Sequence, residues 1–278
     1  MAGVTRIITV ANQKGGVGKT TSAVNIAAAI GQLGYRVLVI DLDPQGNAST
    51  ALGVEHREGT PSVYEVLTGE LTLADVVQPC PDIPDLLAAP ATIDLAGAEI
   101  ELVSQVAREY RLNRALEAYL AHYQQERGQA LDFVFLDCPP SLGLLTLNGL
   151  VAAREVLLPI QCEYYALEGL SQLLRTIDMV RVHLNPSLTV GAILLTMYDG
   201  RTRLASQVAD EVRTHFGTQV LGTVIPRSVR VSEAPSYAQT VLTYDPTSSG
   251  AIAYREAAMQ LVALNSHEST ELSTDISS

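Results

Sequence analysis

Tryptophan is absent from this 278-residue chain, and phenylalanine occurs three times. Platforms on which single-stranded bases stack are built from such rings, so that mode of nucleic-acid binding is not expected. The three cysteines, Cys80, Cys138 and Cys162, are scattered and form no CxxC pair. They indicate neither a disulfide framework nor a thiolate metal site, and buried free thiols are the expectation. No apolar run is long enough to span a bilayer, and residues 1–6 do not read as a signal peptide. The expected location is the cytoplasm. Positive charge is in short supply: 18 Lys and Arg stand against 30 Asp and Glu, a net charge of −12. The chain as a whole is no general nucleic-acid binder, although a local basic patch is compatible with that balance. What it has in quantity is hydrophobic residue, 47%, enough for a sizeable core in one α/β domain or two small ones.

Of the 18 basic residues only two are lysine. Lys14 and Lys19 stand five residues apart in Asn12-Gln13-Lys14-Gly15-Gly16-Val17-Gly18-Lys19-Thr20-Thr21. Arginine is a planar fork, whereas lysine is a compact point charge on a flexible stem. A coding bias towards arginine accounts for the scarcity but not for the shared loop. The loop is the chemical centre to be explained.

Apolar, β-branched runs alternate with helical patterns around it. Residues 7–11 predict a strand, followed by the glycine loop and a helix over about 20–33 that Gly34 ends. Residues 36–41 predict a second buried strand. A polar, helix-poor stretch punctuated by Pro61, Pro79, Pro81, Pro84 and Pro90 follows to about residue 91, holding a short strand near 85–89. Residues 100–127 predict a long helical region. Strands are predicted at 131–137, 155–160, 190–197 and 220–225. Near-continuous apolar strands alternating with helices indicate a doubly wound, mostly parallel, twisted sheet with helices on both faces. Residues 1–264 are expected to form a single domain. The tail, 265–278, is Ser/Thr-rich and acidic with no basic residue, and is expected to be disordered.

A strand, a glycine-rich turn and a helix opening at Lys-Thr give the context in which a phosphate-binding P-loop becomes credible. Glycines let backbone N–H groups aim inward, and the helix N-terminus adds its own donors and partial positive charge. Lys19 is positioned to reach the β- and γ-phosphates, and the Thr20 hydroxyl to ligate Mg²⁺. A glycine turn with no ligand is the alternative. The fit departs from GxxxxGK[ST], because Gln13 stands where that pattern has glycine.

The loop resembles the deviant Walker A motif of the ParA/MinD ATPase superfamily, in which an extra lysine opens the loop. The span from residue 5 to about 264 resembles the chromosomal ParA (Soj) branch. The likeness rests on Asp41-Leu-Asp-Pro-Gln-Gly-Asn47, Ala91-Thr-Ile-Asp-Leu-Ala-Gly-Ala-Glu99, Asp137-Cys-Pro-Pro-Ser141, Gln161-Cys-Glu-Tyr-Tyr-Ala-Leu-Glu-Gly-Leu170 and Ile225-Pro-Arg-Ser-Val-Arg230. It implies a slow, Mg²⁺-dependent ATPase of the P-loop NTPase fold that binds ATP and ADP. Lys14, Gly15, Gly16, Val17, Gly18, Lys19, Thr20 and Thr21 would hold the nucleotide. Lys19 would act within its own subunit, and Lys14 would reach across a dimer interface to phosphates bound by the other. Asp137, ending a strand, matches the position that orients Mg²⁺, directly or through water; a strand-end aspartate capping the next helix is the bland alternative. Asp43 would position or deprotonate the attacking water. Asp41 would either assist the Mg²⁺ shell or hold the loop. Pro226 and Arg227 match a segment that packs against adenine.

The same resemblance implies chromosome or plasmid segregation by a homodimer that forms on ATP binding. Arg201 and Arg230, with Arg203 a weaker candidate, match positions that contact double-stranded DNA without sequence preference; ordinary solvated arginines are the alternative. A ParB-like DNA-bound partner would stimulate hydrolysis, and the protein would associate with the nucleoid. The glycine loop begins about a dozen residues in, so an operator-specific helix-turn-helix is not expected. Three rivals remain. A MinD-like membrane ATPase would need a basic amphipathic C-terminal helix, where this chain has acidic residues. A metal-carrier ATPase would need paired bridging thiolates. A nucleotide-binding scaffold would show no turnover.

Overall fold

The computed structural model describes residues 4–163 and 166–274, with side-chain surroundings for 4–163 and 169–264. The acidic tail expected at 265–278 lies outside the residues whose surroundings are described. In chain order the elements are β1 (Arg6–Val10), α1 (Lys19–Gln32), β2 (Val37–Asp41), α2 (Asn47–Ala51), α3 (Val63–Thr68), α4 (Leu73–Val76), β3 (Gln78–Pro79), β4 (Leu86–Ala89), α5 (Leu95–Glu101) and α6 (Arg111–Arg127). Then come β5 (Phe133–Asp137), α7 (Leu144–Ala152), β6 (Glu155–Gln161), α8 (Ala166–His183), β7 (Thr189–Tyr198), α9 (Arg203–Phe216), β8 (Val220–Pro226), α10 (Val229–Glu233), α11 (Val241–Tyr244) and α12 (Ser249–Thr274).

Among the described residues the strands form one sheet in the order β3-β4-β2-β5-β1-β6-β7-β8. All pairings are parallel except β3 with β4. Strands β1, β2 and β5 are buried at every position, because the sheet is covered on both faces. Alternate side chains feed two cores. Ile7, Leu38, Ile40, Val134 and Leu136 face one, and Ile8, Val10, Val37, Val39, Phe133 and Phe135 face the other. The first core is closed by α3–α9. The second is closed by α1, α2 and α10–α12, where Ala27, Ala28 and Ile30 of α1 meet Tyr254, Ala257 and Leu261 of α12. The three cysteines are buried and free, as expected.

The predicted strands and first helix match to within one or two residues. Two expectations are corrected. The stretch to residue 91 is not helix-poor: it holds α2, α3 and α4. These helices are too short to show a periodic pattern, and capping and burial stabilise them instead. Ser62 with Glu65 and Thr72 with Asp75 form capping boxes, worth about 1 kcal/mol each. Val63, Val66, Leu67, Leu73 and Val76 are buried beneath. The predicted long helix at 100–127 is broken. Alanine 107 takes a left-handed backbone (φ 54°), so α5 and α6 are separate elements joined by 3₁₀ turns.

Two consequences place the site. β1 lies between β5 and β6, so the glycine loop leaves the C-terminal edge at the middle of the sheet. β5 lies beside both β1 and β2, in a register that sets Asp137 opposite Val10 and opposite Asp41. Ligands of open α/β sheets bind at this edge.

Candidate nucleotide-binding and hydrolysis site

The glycine loop is anchored from both sides. Thr196 Oγ1, on β7, donates to the Val17 carbonyl at 2.8 Å. Asn12 accepts from the Lys14 amide at 3.0 Å and donates to the Pro159 carbonyl at 2.8 Å. Gly16 and Gly18 have φ of 74° and 85°, the left-handed region that an L side chain adopts only under strain. The loop borders a cavity of ≈ 780 Å³ lined by Gly15, Gly16, Lys19, Thr20, Asp43 and Ser141, among others. A smaller cavity of ≈ 150 Å³, lined by Pro226 and Arg227, shares Gly18, Thr21, Met197 and Val231 with it. A nucleotide has room to lay its phosphates on the loop and extend towards Pro226 past that junction. Met197 there has a left-handed backbone, φ 49°.

The two lysines occupy different surroundings. Lys19 is 7% exposed, and its Nζ donates to the Lys14 carbonyl at 3.1 Å. Burial lowers its pKa, and the charge of Asp137 works in the opposite direction. The Lys14 side chain is 43% exposed and pairs with Glu163, Nζ to Oε2, at 2.7 Å.

Three carboxylates stand at the strand ends beneath the loop: Asp41 closes β2, Asp137 closes β5, and Asp43 lies two residues past β2. Asp137 is fully buried, and neither carboxylate oxygen has a hydrogen-bond partner. Burial pushes its pKa well up and the charge of Asp41 pushes it further; the Thr20 hydroxyl, short of hydrogen-bonding geometry, only partly offsets them. A buried, unpartnered carboxylate is costly unless a cation completes it. Together with the Thr20 hydroxyl this donor set fits Mg²⁺, which binds through one or two protein oxygens plus phosphates and water. Asp41 is differently engaged. Its Oδ2 accepts from the Ser49 amide at 2.9 Å and the Ser49 hydroxyl at 2.7 Å, and its Oδ1 accepts from the Asp43 amide at 3.1 Å. Burial raises its pKa to about 6 despite those bonds. Asp43 lines the cavity, and its own Oδ1 accepts from the Gln45 amide at 3.0 Å.

The arginines singled out by sequence lie on the same edge of the sheet, beyond β7 and β8. Tyr198 of β7 is in register with Pro226 of β8, and the Arg227 amide donates to the Tyr198 carbonyl at 3.1 Å. Arg201 follows β7, Arg203 opens α9 and Arg230 lies on α10. Arg201 grips Asp199 two-handed at 2.8 and 2.7 Å, which lowers the Asp199 pKa to about 2. Arg230 pairs with Glu233 at 3.2 Å and Asp245 at 3.4 Å. Sequence reasoning missed Glu163, Ser49, Glu99 and Thr196. Glu163 and Glu99 stood inside quoted motifs without a role, because what they touch is distant in the chain.

This fold and site define a P-loop nucleotide-binding protein with the donor set of a hydrolase. The AAA_31 family, described as an AAA domain, matches residues 5–190. The Sporulation initiation inhibitor protein Soj of Bacillus subtilis (strain 168) is 50% identical over 258 residues, 93% of this chain and 98% of that one. Chromosome partitioning protein ParA of Myxococcus xanthus (strain DK1622) is 48% identical over 261 residues, 94% of this chain and 89% of that one. The chain therefore belongs to the ParA/Soj family of chromosome-partitioning ATPases. Among solved structures, a Mycobacterium smegmatis protein named cobyrinic acid a,c-diamide synthase, with bound ADP and magnesium, is similar at a TM-score of 0.78 and 42% identity. That match covers 93% of this chain and 94% of that one. The cell division ATPase MinD of Pyrococcus furiosus shares the fold at a TM-score of 0.75 and 24% identity, covering 94% and 100%. No helix among the described residues is long and apolar enough to cross a membrane.

Proposed function

We propose that the chain is a slow, Mg²⁺-dependent ATPase of chromosome or plasmid segregation. ATP binding forms a homodimer that holds double-stranded DNA without sequence preference, and hydrolysis to ADP and phosphate, stimulated by a ParB-like DNA-bound partner, releases it. It works in the cytoplasm, on the nucleoid. The observation that carries this reading is the division between the lysines: one buried at the floor of the cavity, the other on its lip in a removable ion pair. A single-subunit hydrolase needs the first and has no evident use for the second.

Phosphoryl transfer to water asks the protein mainly for placement and charge neutralisation. The amides of Gly15–Thr21 and Lys19 bind the phosphates. Asp137 and Thr20 would hold Mg²⁺, directly or through water, and the bound ion would supply neutralisation of the phosphate charge. Asp43 orients the attacking water and accepts its proton. Asp41, its oxygens taken by Ser49 and the Asp43 amide, keeps the Asp43 loop in place and leaves the metal to Asp137. Pro226 and Arg227 pack beside the adenine. Lys14 leaves Glu163 to reach phosphates bound by the second subunit.

DNA contact falls to Arg201 and Arg230, with Arg203 beside them. Each pays for the contact by leaving a carboxylate partner. Exposed pairs are worth about 0–1 kcal/mol, so a polyanion can displace them. The test is oligomeric state and DNA binding measured with ADP, ATP and a non-hydrolysable analogue. Wild type should bind DNA only as the ATP-bound dimer, with affinity falling steeply in salt. Arg201→Ala with Arg230→Ala should keep the dimer and lose the DNA. Undiminished DNA binding in that double variant would exclude these contacts. Nucleotide-dependent capture on anionic vesicles would favour a MinD-like reading instead.

A further inference from the structure

We propose that His56 is a positioning residue for hydrolysis: through Thr50 and Gly46 it fixes the turn that aims Asp43 at the attacking water. The inference rests on the function proposed above and names a further residue on which the same site depends.

Asp43 stands in a tight turn. The Gly46 amide donates to the Asp43 carbonyl at 2.9 Å, and the Gln45 amide donates to Asp43 Oδ1 at 3.0 Å. The direction of the Asp43 carboxylate therefore follows the placement of Gly46. Gly46 has a left-handed backbone, φ 63°, and directly precedes α2. It is pressed from two sides. A side-chain carbon there would lie 3.0 Å from His56 Cδ2 and 3.1 Å from the Ala91 carbonyl oxygen. The Gly46 carbonyl accepts from the Thr50 amide at 2.9 Å and from the Thr50 hydroxyl at 3.0 Å.

The same hydroxyl lies 3.0 Å from His56 Nε2. On the other side of the ring, Nδ1 lies 2.9 Å from the Val54 carbonyl, which can only accept, so Nδ1 donates. In the neutral ring Nε2 is then an acceptor, and one Thr50 proton is shared between it and the Gly46 carbonyl. The imidazole is thus both a wall against Gly46 and a polar partner for the residue that holds Gly46. Its backbone is fixed in turn. Gln78, on β3, accepts from the Glu55 amide at 3.0 Å and donates to the Glu55 carbonyl at 2.9 Å, and the Val54 amide donates to the Ser49 carbonyl at 3.2 Å. A line of contacts therefore runs from the edge strand of the sheet to the Asp43 carboxylate. None of its members belongs to the phosphate loop, and His56 lies behind the cavity wall rather than in it. A residue that aims a reacting group without touching the substrate acts on turnover more than on nucleotide affinity.

The test compares variants by three readouts: hydrogen exchange of peptides covering residues 43–50 in ligand-free protein, steady-state ATP turnover, and nucleotide affinity by titration with a fluorescent ATP analogue. His56→Ala should speed exchange in that segment and lower kcat about tenfold, with nucleotide affinity within about twofold of wild type. His56→Gln should restore slow exchange and most of kcat, because its amide can donate to Thr50 and leave the hydroxyl proton to Gly46. Thr50→Val, which keeps the ring in place, should show the same split as His56→Ala. The two together should be no slower than the slower single variant, since they act as one unit. Wild-type exchange and turnover in His56→Ala overturns the inference. So does a loss of nucleotide affinity that parallels the loss of turnover, or a glutamine variant no better than alanine, since either marks a general folding role. A wild type with no turnover, with DNA and partner present, overturns the function reading; exchange at 43–50 in His56→Ala still reports whether the ring holds the turn.

Discussion

The floor of the nucleotide cavity and its lip handle charge in opposite ways. On the floor, Lys19 and Asp137 are buried and Asp137 has no hydrogen-bond partner. On the lip, Lys14 and Glu163 are half exposed and paired at 2.7 Å. A buried, unsatisfied charge raises the free energy of the empty protein and is relieved when a complementary ligand arrives. An exposed ion pair contributes about 0–1 kcal/mol and exchanges partners readily. The floor is built to bind in cis, and the lip is built to be traded.

That contrast can be broken in stages. Lys19→Ala should have the largest effect: ATP turnover should fall by about 100-fold or more in a steady-state assay, because a preorganised charge at the phosphates is removed. Lys14→Ala should leave nucleotide affinity within about threefold of wild type, since an exposed charge adds little in cis. It should abolish the ATP-dependent dimer in light scattering. Equal loss of nucleotide binding in both variants would erase the distinction.

Asp137→Asn sharpens the point about the floor. It should stabilise the ligand-free protein by about 1–3 kcal/mol in urea unfolding while abolishing the stabilisation by Mg²⁺ and nucleotide. The pH dependence follows the same sign. Burial raises Asp41 from 3.8 to about 6, so the folded state holds that proton more tightly than the unfolded chain. The associated stability is complete below the unfolded value near 3.8 and is lost as pH rises through about 6. Ligand-free protein should therefore weaken between about pH 4 and 6.5, with Asp41→Asn flattening that slope. Glu163→Gln should be the mildest change. Freeing Lys14 removes at most about 1 kcal/mol of pairing, so the ATP concentration needed to form the dimer should fall by no more than about fivefold.

Much of this was legible in the order of residues. The buried strands are continuous apolar runs, and Lys14 and Lys19 announced the loop because lysine is otherwise missing. Asp137 and Asp41 were visible as strand ends. The breaks were harder. Ala107 carries no residue signal for its left-handed turn, and α2–α4 are too short for periodicity to reveal, α3 and α4 being held by capping boxes and all three by buried contacts. Glu163, Ser49 and Glu99 gained roles only from partners 149, 8 and 46 residues away.

By itself, then, the sequence determined the alternation of strands and helices, the phosphate loop and the identity of its chemical groups. These depend on local pattern: β-branched runs, glycine at positive φ, a helix opening at Lys-Thr. Only the tertiary structure decided which charges are satisfied. Parallel register brings Asp41 and Asp137 side by side and leaves the second unpartnered. The loop after β6 brings Glu163 onto Lys14, and α5 brings Glu99 to the Leu145 amide at the start of α7. Desolvation and ion pairing act through space, so two lysines five residues apart can differ completely in what they are free to do.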